Sequence, residues 1–284
     1  MANAPINPLS LSDVGRDAFR TLRMNVSFCG KDIKTLVVTS ATPNDGKTTV
    51  SIGLAGSIAE SMKNVLIIEC DCRRPSVGNR LKLRPKKNWI DVIYNNATLE
   101  EAIVETSCKN LYFLDAEPGL VHSVELLSSG RFWEMVEELK KHFDMIIFDT
   151  PPLGAFSDAA VLASKADGTA LVITYGAKDI RLIKNVIEDL KAAKANILGI
   201  VLDRVKAYKT SYYYKNGYYG YYYQYYYRKE YEGDKKHKHR HHHSSSAKKH
   251  GAYPRLSTDM SKIEEKERSA AVKAEKPEEG DSEK

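Results

Sequence analysis

Between residues 33 and 203 the chain alternates short runs of Val, Ile and Leu with longer stretches whose apolar residues recur every three or four positions. The runs are IKTLVVTSA, NVLIIEC, NLYFLDA, DMIIFDT, TALVIT and ILGIVLD. They are nearly continuous in apolar residues, as strands covered on both faces are, and that is the signature of parallel strands. The intervening KTTVSIGLAGSIAESM, RFWEMVEELKKHF and DIRLIKNVIEDLKAAKA read as helices. Strand and helix in turn imply an α/β fold, a doubly wound and mainly parallel sheet. A further amphipathic helix, over residues 14–28, precedes the first strand, and no internal repeat is visible.

Several classes are set aside. No run of about eighteen apolar residues occurs, so no membrane-spanning helix is expected. The opening MANAPINPLSLSDVG lacks a basic segment followed by an apolar one, so no secretory signal is read. Cys29, Cys70, Cys72 and Cys108 form no regular framework and suit a reducing cytosol. Cys70-x-Cys72 has no second pair to complete a metal site and reads as buried strand thiols. The formal net charge is +6, unevenly spread: about +2 over residues 1–210, +7 over 211–255 and −3 over 256–284. The positive charge thus sits in the tail, which suggests an acidic partner there.

The first strand runs into ATPNDGKTTV, in which Ala41-x4-Gly46-Lys47-Thr48 is a P-loop with Ala at the first Gly position. A helix follows, the context that motif requires. Pro43, Asn44, Asp45, Gly46, Lys47, Thr48 and Thr49 are therefore the expected phosphate-binding residues. Backbone N–H groups at a helix N-terminus cradle an anion. Lys47 would reach the β- and γ-phosphates and the Thr48 hydroxyl would coordinate Mg2+. The second strand ends LIIECDCRRP, and strand alternation sets Glu69, Asp71 and Arg73 on one side and Cys70 and Cys72 on the other. A solvated strand end is the plainer reading of those charges. The run MIIFDTPP ends in Asp149, a Walker B pattern whose carboxylate holds Mg2+ directly or through water. Together, Thr48, Asp71 and Asp149 make a metal-phosphate site at the carboxyl edge of a parallel sheet, where ligands bind.

After about residue 208 the core pattern stops. SYYYKNGYYGYYYQYYYRKEY holds twelve of the seventeen tyrosines: Tyr212, Tyr213, Tyr214, Tyr218, Tyr219, Tyr221, Tyr222, Tyr223, Tyr225, Tyr226, Tyr227 and Tyr231. A strip of this composition can be a sticky surface, an aggregation-prone segment or a set of phosphate acceptors. A His-rich basic stretch and a Glu/Lys-rich end follow, and disorder is expected for most of it. The histidines read as part of a solvated basic segment rather than a structural metal site.

SATPNDGKTT, LIIECDCRRP, FDMIIFDTPPLGAFSDAAVLASKADGTALVI and the Tyr-rich strip together resemble the bacterial tyrosine kinases, over about residues 9–231. The resemblance implies a P-loop NTPase fold of the MinD/ParA kind and an ATP- and Mg2+-dependent protein-tyrosine autokinase. It implies that Lys47 stabilises the transferring phosphate charge, that Asp71 assists Mg2+ and activates the acceptor hydroxyl, and that Asp149 supports Mg2+. The family writes its second acidic motif D-x-D-x-R; here Glu69 replaces the first Asp, while Asp71 and Arg73 match. DAFRTLRMNVSF resembles the family's E-x2-R-x2-R oligomerisation helix, with Asp17 in place of Glu and Arg20 and Arg23 matching. SVELLSSGRF resembles a segment usually written NPSELL, with His122 where Asn would stand.

The domains implied are an N-terminal segment at 1–32, a kinase domain at 33–208, the tyrosine cluster at 209–231 and a basic, then mixed-charge tail at 232–284. The twelve tyrosines become phosphoacceptors, modified in trans within a homo-oligomer, a ring. The remaining implications are a cytoplasmic protein recruited to the inner membrane face by a separate transmembrane activator, opposed by a cognate tyrosine phosphatase, and regulating capsular or extracellular polysaccharide synthesis or export. No nucleic acid partner is expected. The alternatives are a MinD/ParA-type nucleotide-switched ATPase and an assembly scaffold without kinase activity. The former carries a second Lys within its P-loop, and ATPNDGK has none.

Overall fold

Each of the six apolar runs becomes a strand of one sheet. In the computed structural model, which describes residues 11–30, 32–177 and 179–205, six strands run parallel. They are β1 (Thr35–Ser40), β2 (Val65–Glu69), β4 (Leu111–Leu114), β5 (Met145–Asp149), β6 (Gly168–Thr174) and β7 (Ile197–Asp203). The sequence reading missed β3 (Ile103–Glu105), which pairs antiparallel to β4 at the edge. Three residues are too few to display a period. The order across the sheet is β3-β4-β2-β5-β1-β6-β7. Every residue of β1, β2 and β5 is buried, so the hydrophobic effect places these central strands without any alternating pattern.

Two apolar layers flank the sheet. On one face α1 (Asp13–Phe28) and α2 (Lys47–Ala59) enclose Leu36, Leu54, Ile58 and Ile67. On the other, α7 (Gly130–His142) and α9 (Ile180–Ala192) cover Phe148, Leu171 and Ile146. Trp89 and Phe132 meet edge to face in that second core, with ring centroids 5.2 Å apart. Five short helices fill the connections: α3 (Val77–Leu81), α4 (Trp89–Ile93), α5 (Leu99–Ala102), α6 (Ser123–Ser128) and α8 (Asp158–Ala163).

α1 begins at Ser12, whose hydroxyl accepts from the Gly15 N–H at 3.3 Å. It lies along α2, and the Phe19 ring occupies the space a Cβ at Gly53 would need. α2 is buried along almost its whole length because the sheet covers one side and α1 the other. Cys70 and Cys72 are buried, as expected, but they follow the end of β2 and are not strand thiols; burial pushes the Cys72 thiol up to about 12 and that of Cys70 well up too. Among the described residues no helix is long and apolar enough to cross a membrane. The tyrosine cluster and the tail after it lie outside the described residues.

From β1 the chain winds to one side through β2, and after β5 it crosses past β1 to reach β6 on the other side, so the direction of winding reverses beside β1. The crevice beyond the carboxyl ends of β1, β2 and β5 is therefore where such a sheet takes a ligand. Register puts Val38, Asp149 and Glu69 level across β1, β5 and β2.

Candidate active site

The P-loop leaves β1 and enters α2 through two left-handed residues, Asn44 (φ 65°) and Gly46 (φ 95°). Gly46 is needed twice over, since its φ disfavours a side chain and a Cβ would run into the Asp203 carboxylate. It is also the N-cap of α2, where no side chain caps the helix. No N-cap side chain thus takes up the first N–H groups of α2, the arrangement of a helix N-terminus that can accept an anion. The loop is braced from outside. Asp45 Oδ2 accepts from the Thr42 N–H (2.9 Å) and hydroxyl (2.8 Å), and its Oδ1 accepts from Thr174 Oγ1 (3.0 Å). Arg204 donates to the Asn44 carbonyl at 2.8 Å. The Thr49 hydroxyl accepts from Arg80 at 2.7 Å. The side chains of Asp45 and Thr49 are therefore taken up in bracing the loop. Gly154, in the loop after β5, packs so close that a Cβ there would meet the Ala41 carbonyl.

Lys47, the first residue of α2, is buried, and one turn of that helix supplies two hydroxyls to one carboxylate. Thr48 Oγ1 donates to Asp149 Oδ2 at 2.7 Å and Ser51 Oγ to Asp149 Oδ1 at 2.7 Å. Thr48 Oγ1 also lies 2.9 Å from Ser76 Oγ. Burial raises the Asp149 carboxyl to about 6; the two hydroxyls and the Lys47 charge pull the other way, and the Asp71 charge adds to the rise. Its register neighbour Glu69 is likewise raised well above the usual carboxylate range, by burial first and by Asp149 second. Hydroxyl and carboxylate oxygens beside two buried acids, whose ionisation a cation would favour, fit a hard divalent ion.

The turn after β2 departs from the strand reading. β2 ends at Glu69, so alternation does not carry Asp71 and Arg73 along one face with it. Glu69 is instead fully buried and accepts backbone N–H groups from Asp71 (3.1 Å), Ser76 (2.7 Å) and Val77 (3.0 Å). Its carboxylate organises the 71–77 turn, a structural role in this chain. Asp71 Oδ1 accepts from the Arg74 N–H at 2.9 Å and makes no hydrogen bond to Thr48 or Asp149. It is near enough for its charge to act on Asp149. Of the expected metal set, Thr48 and Asp149 are joined directly, and Asp71 stands at the rim.

Sequence reasoning missed Ser51, Ser76 and the organising role of Glu69. Ser51 follows Thr48 by three residues on a helix, a spacing that puts both hydroxyls on one side. On α1, Arg20 pairs with Asp17 at 3.3 Å and with Glu60 at 3.9 Å. Arg23 turns onto its own chain and donates to the Ser57 carbonyl at 2.7 Å.

The family model described as an AAA domain matches residues 34–199, which span the P-loop and both strand-end acids. Tyrosine-protein kinase YwqD of Bacillus subtilis is 35% identical over 219 residues, 76% of this chain and 90% of that protein. The kinase domain of the Escherichia coli tyrosine kinase ETK is similar in structure, with a TM-score of 0.62 at 28% identity, covering 68% of this chain and 78% of that one. The cell-division ATPase MinD of Pyrococcus furiosus is less so, with a TM-score of 0.50 at 26% identity over 60% of this chain and 71% of that one. The fold, the P-loop with its paired strand-end acids and these likenesses agree: the chain belongs to the bacterial tyrosine-protein kinases.

Proposed function

We propose that this tyrosine kinase uses Mg-ATP to phosphorylate the tyrosine cluster of residues 212–231 on neighbouring copies of itself. The observation that carries the reading is the Thr48–Asp149–Ser51 cluster at the mouth of the P-loop helix. The N–H groups of residues 44–49 would bind the β- and γ-phosphates, while Pro43, which has no N–H, would only shape the entry to the loop. Thr48 and Asp149 would hold Mg2+, which when bound neutralises charge on those phosphates. Ser51 fixes the second oxygen of Asp149, so the carboxylate meets the cation in one orientation. Lys47 lies close enough for its charge to act on Asp149 and shares the charge that develops on the transferring group. A tyrosine oxygen attacks the γ-phosphorus while the bond to the β-phosphate oxygen breaks and ADP departs. Asp71, at the rim, takes the phenolic proton.

The wider proposal follows the family resemblance. A separate transmembrane protein recruits and stimulates the kinase, a cognate phosphatase resets it, and the output is control of polysaccharide synthesis or export. Asp17, Arg20 and Arg23 lie in the helix that assembles protomers. The test is incubation with Mg-ATP followed by phosphotyrosine blotting and mass spectrometry. Lys47→Met and Asp71→Asn should each retain the fold and lose at least about a hundredfold in phosphotyrosine formation, the size of a preorganised charge at the reacting group. Normal phosphorylation in folded Lys47→Met protein would overturn the reading. Nucleotide binding without any phosphotyrosine in the wild type would favour a MinD-type switch.

A further inference from the structure

The loops that follow β2 and β5 meet at a contact that neither the phosphate cradle nor the metal ligands require. Asp158, the first residue of α8, is fully buried. Ser123 Oγ, from the first turn of α6, donates to its Oδ1 at 2.5 Å. Its Oδ2 has no hydrogen-bond donor among the described residues, and its ion-pair partner is Arg73 Nη2 at 3.6 Å. The Arg73 guanidinium also lies over the Phe156 ring, 4.3 Å from the centroid. Arg73 is thus held between an aromatic face and a buried carboxylate, both supplied by the loop that begins at Asp149.

Burial makes Asp158 an unusual choice if packing were its only task, because a charged oxygen away from water is costly unless paired. Its burial keeps it from bulk solvent and Ser123 fixes its rotamer, so Asp158 is the stationary member. Arg73, whose side chain is 34% exposed, is the adjustable one. The 3.6 Å separation exceeds a charge-assisted hydrogen bond of about 2.8 Å, so a shift of less than about an ångström converts proximity into a bond. Arg73 belongs to the turn that carries Asp71. Glu69 ties down the two ends of that turn, Gly119 N–H donates to the Cys72 carbonyl at 2.7 Å, and Ser76 joins it to Thr48. The tip, at Arg73, is secured only by Phe156 and Asp158 among the contacts described.

We propose that Asp158 is a positioning residue for phosphoryl transfer: through Arg73 it holds the tip of the Asp71–Arg74 turn and so aims Asp71 at the acceptor hydroxyl, with Ser123 setting its carboxylate. The proposal rests on the kinase reading and on Asp71 as the base. A misplacement of the base should appear in turnover, because Arg73 and Asp158 make no described contact with the phosphate cradle or with the Thr48–Asp149 pair, and Glu69 keeps the ends of the turn in place.

The test is a double-mutant cycle on the full chain with Mg-ATP, measuring phosphotyrosine formation at saturating ATP, the KM for ATP and the melting temperature. Asp158→Asn keeps the volume and the Ser123 hydrogen bond but removes the charge. It should lower kcat by about ten- to a hundredfold, leaving KM within about twofold. Arg73→Ala should do the same, and the double variant should be no worse than the poorer single one. Losses that multiply, or a fall in nucleotide affinity in place of kcat, would overturn the positioning role. Should Asp158→Asn fail to fold, Ser123→Ala runs the same cycle: a lower kcat in the wild-type background and no further loss with Arg73→Ala supports the role, and equal losses in both defeat it. A wild type that binds nucleotide yet forms no phosphotyrosine defeats the kinase reading instead.

Discussion

At the scale of a residue, Asp149 shows how a buried carboxylate costs stability when it ionises. Burial is the largest cause of its raised pKa, about 6 against an ordinary 3.8, and the hydroxyls of Thr48 and Ser51 offset only part of it. The folded protein therefore keeps a proton that the unfolded chain releases. The resulting stabilisation is complete below pH 3.8 and is lost as pH rises through about 6. Asp149→Asn removes this dependence. The Asn carbonyl can keep the Ser51 hydrogen bond, and Thr48 can rotate to accept from the Asn NH2 while donating to Ser76 Oγ, so both hydroxyls stay paired. Without Mg2+ or nucleotide, the variant should match the wild type near pH 4 and exceed it by up to about 3 kcal/mol at pH 7.5, from a shift of about two pKa units. Urea unfolding at the two pH values checks this, and an Asn variant equally destabilised at both would refute it. Its kinase activity should nevertheless be lost, a trade of function against stability.

Among the elements, α1 packs on its own domain and, under the assembly proposal, also joins protomers. Its apolar side packs on α2, with Phe19 against Gly53 and Arg23 bound to the Ser57 carbonyl near the end of that helix. A cation at a helix C-terminus is favourable, so Arg23 serves its own chain whatever else it does. Arg20, with a half-exposed side chain and, among the described residues, ion pairs at the surface, contributes little to stability where it stands. The assembly proposal then makes different predictions for neighbours on one helix. Arg20→Ala should weaken the oligomer in native mass spectrometry and leave the melting temperature within about a degree. Arg23→Ala should weaken the oligomer and also cost about 1 kcal/mol of protomer stability through the lost hydrogen bond. Equal oligomers for the Arg20 variant and the wild type would remove Arg20 from the interface.

For the whole molecule the governing quantity is charge. Residues 211–255 carry about +7, and each phosphotyrosine contributes about −1.5 to −2, so about four phosphates cancel that charge and more reverse it. A basic strip suits entry into an acidic cleft, and a reversed one would be repelled from it, so a kinase of this design would release its own product. Replacing the twelve tyrosines of the cluster with Phe should remove most phosphate while leaving nucleotide affinity unchanged. The fully phosphorylated wild type should be mainly monomeric, and Lys47→Met protein oligomeric. Dominant sites at Tyr94, Tyr112 or Tyr175 would relocate the substrate to the folded domain.

The six parallel strands and the P-loop were legible because their causes are local. A strand buried on both faces must be apolar throughout, as β1, β2 and β5 are, and a phosphate cradle needs only consecutive backbone groups with Gly46 at a left-handed turn. Asp149 was legible for the same reason, as the residue that ends an apolar run. What the tertiary structure alone decided is which groups those elements face. Glu69 and Asp71 are two residues apart and strand alternation set them on one side, yet the chain turns between them, burying one and leaving the other at the rim. The pairing of Thr48 and Ser51 with Asp149, of Arg23 with Ser57, and of Ser123 and Arg73 with Asp158 joins segments far apart in the chain. Periodicity states that a side chain is buried or exposed; the partner it meets depends on how the sheet orders its strands and where each crossover returns.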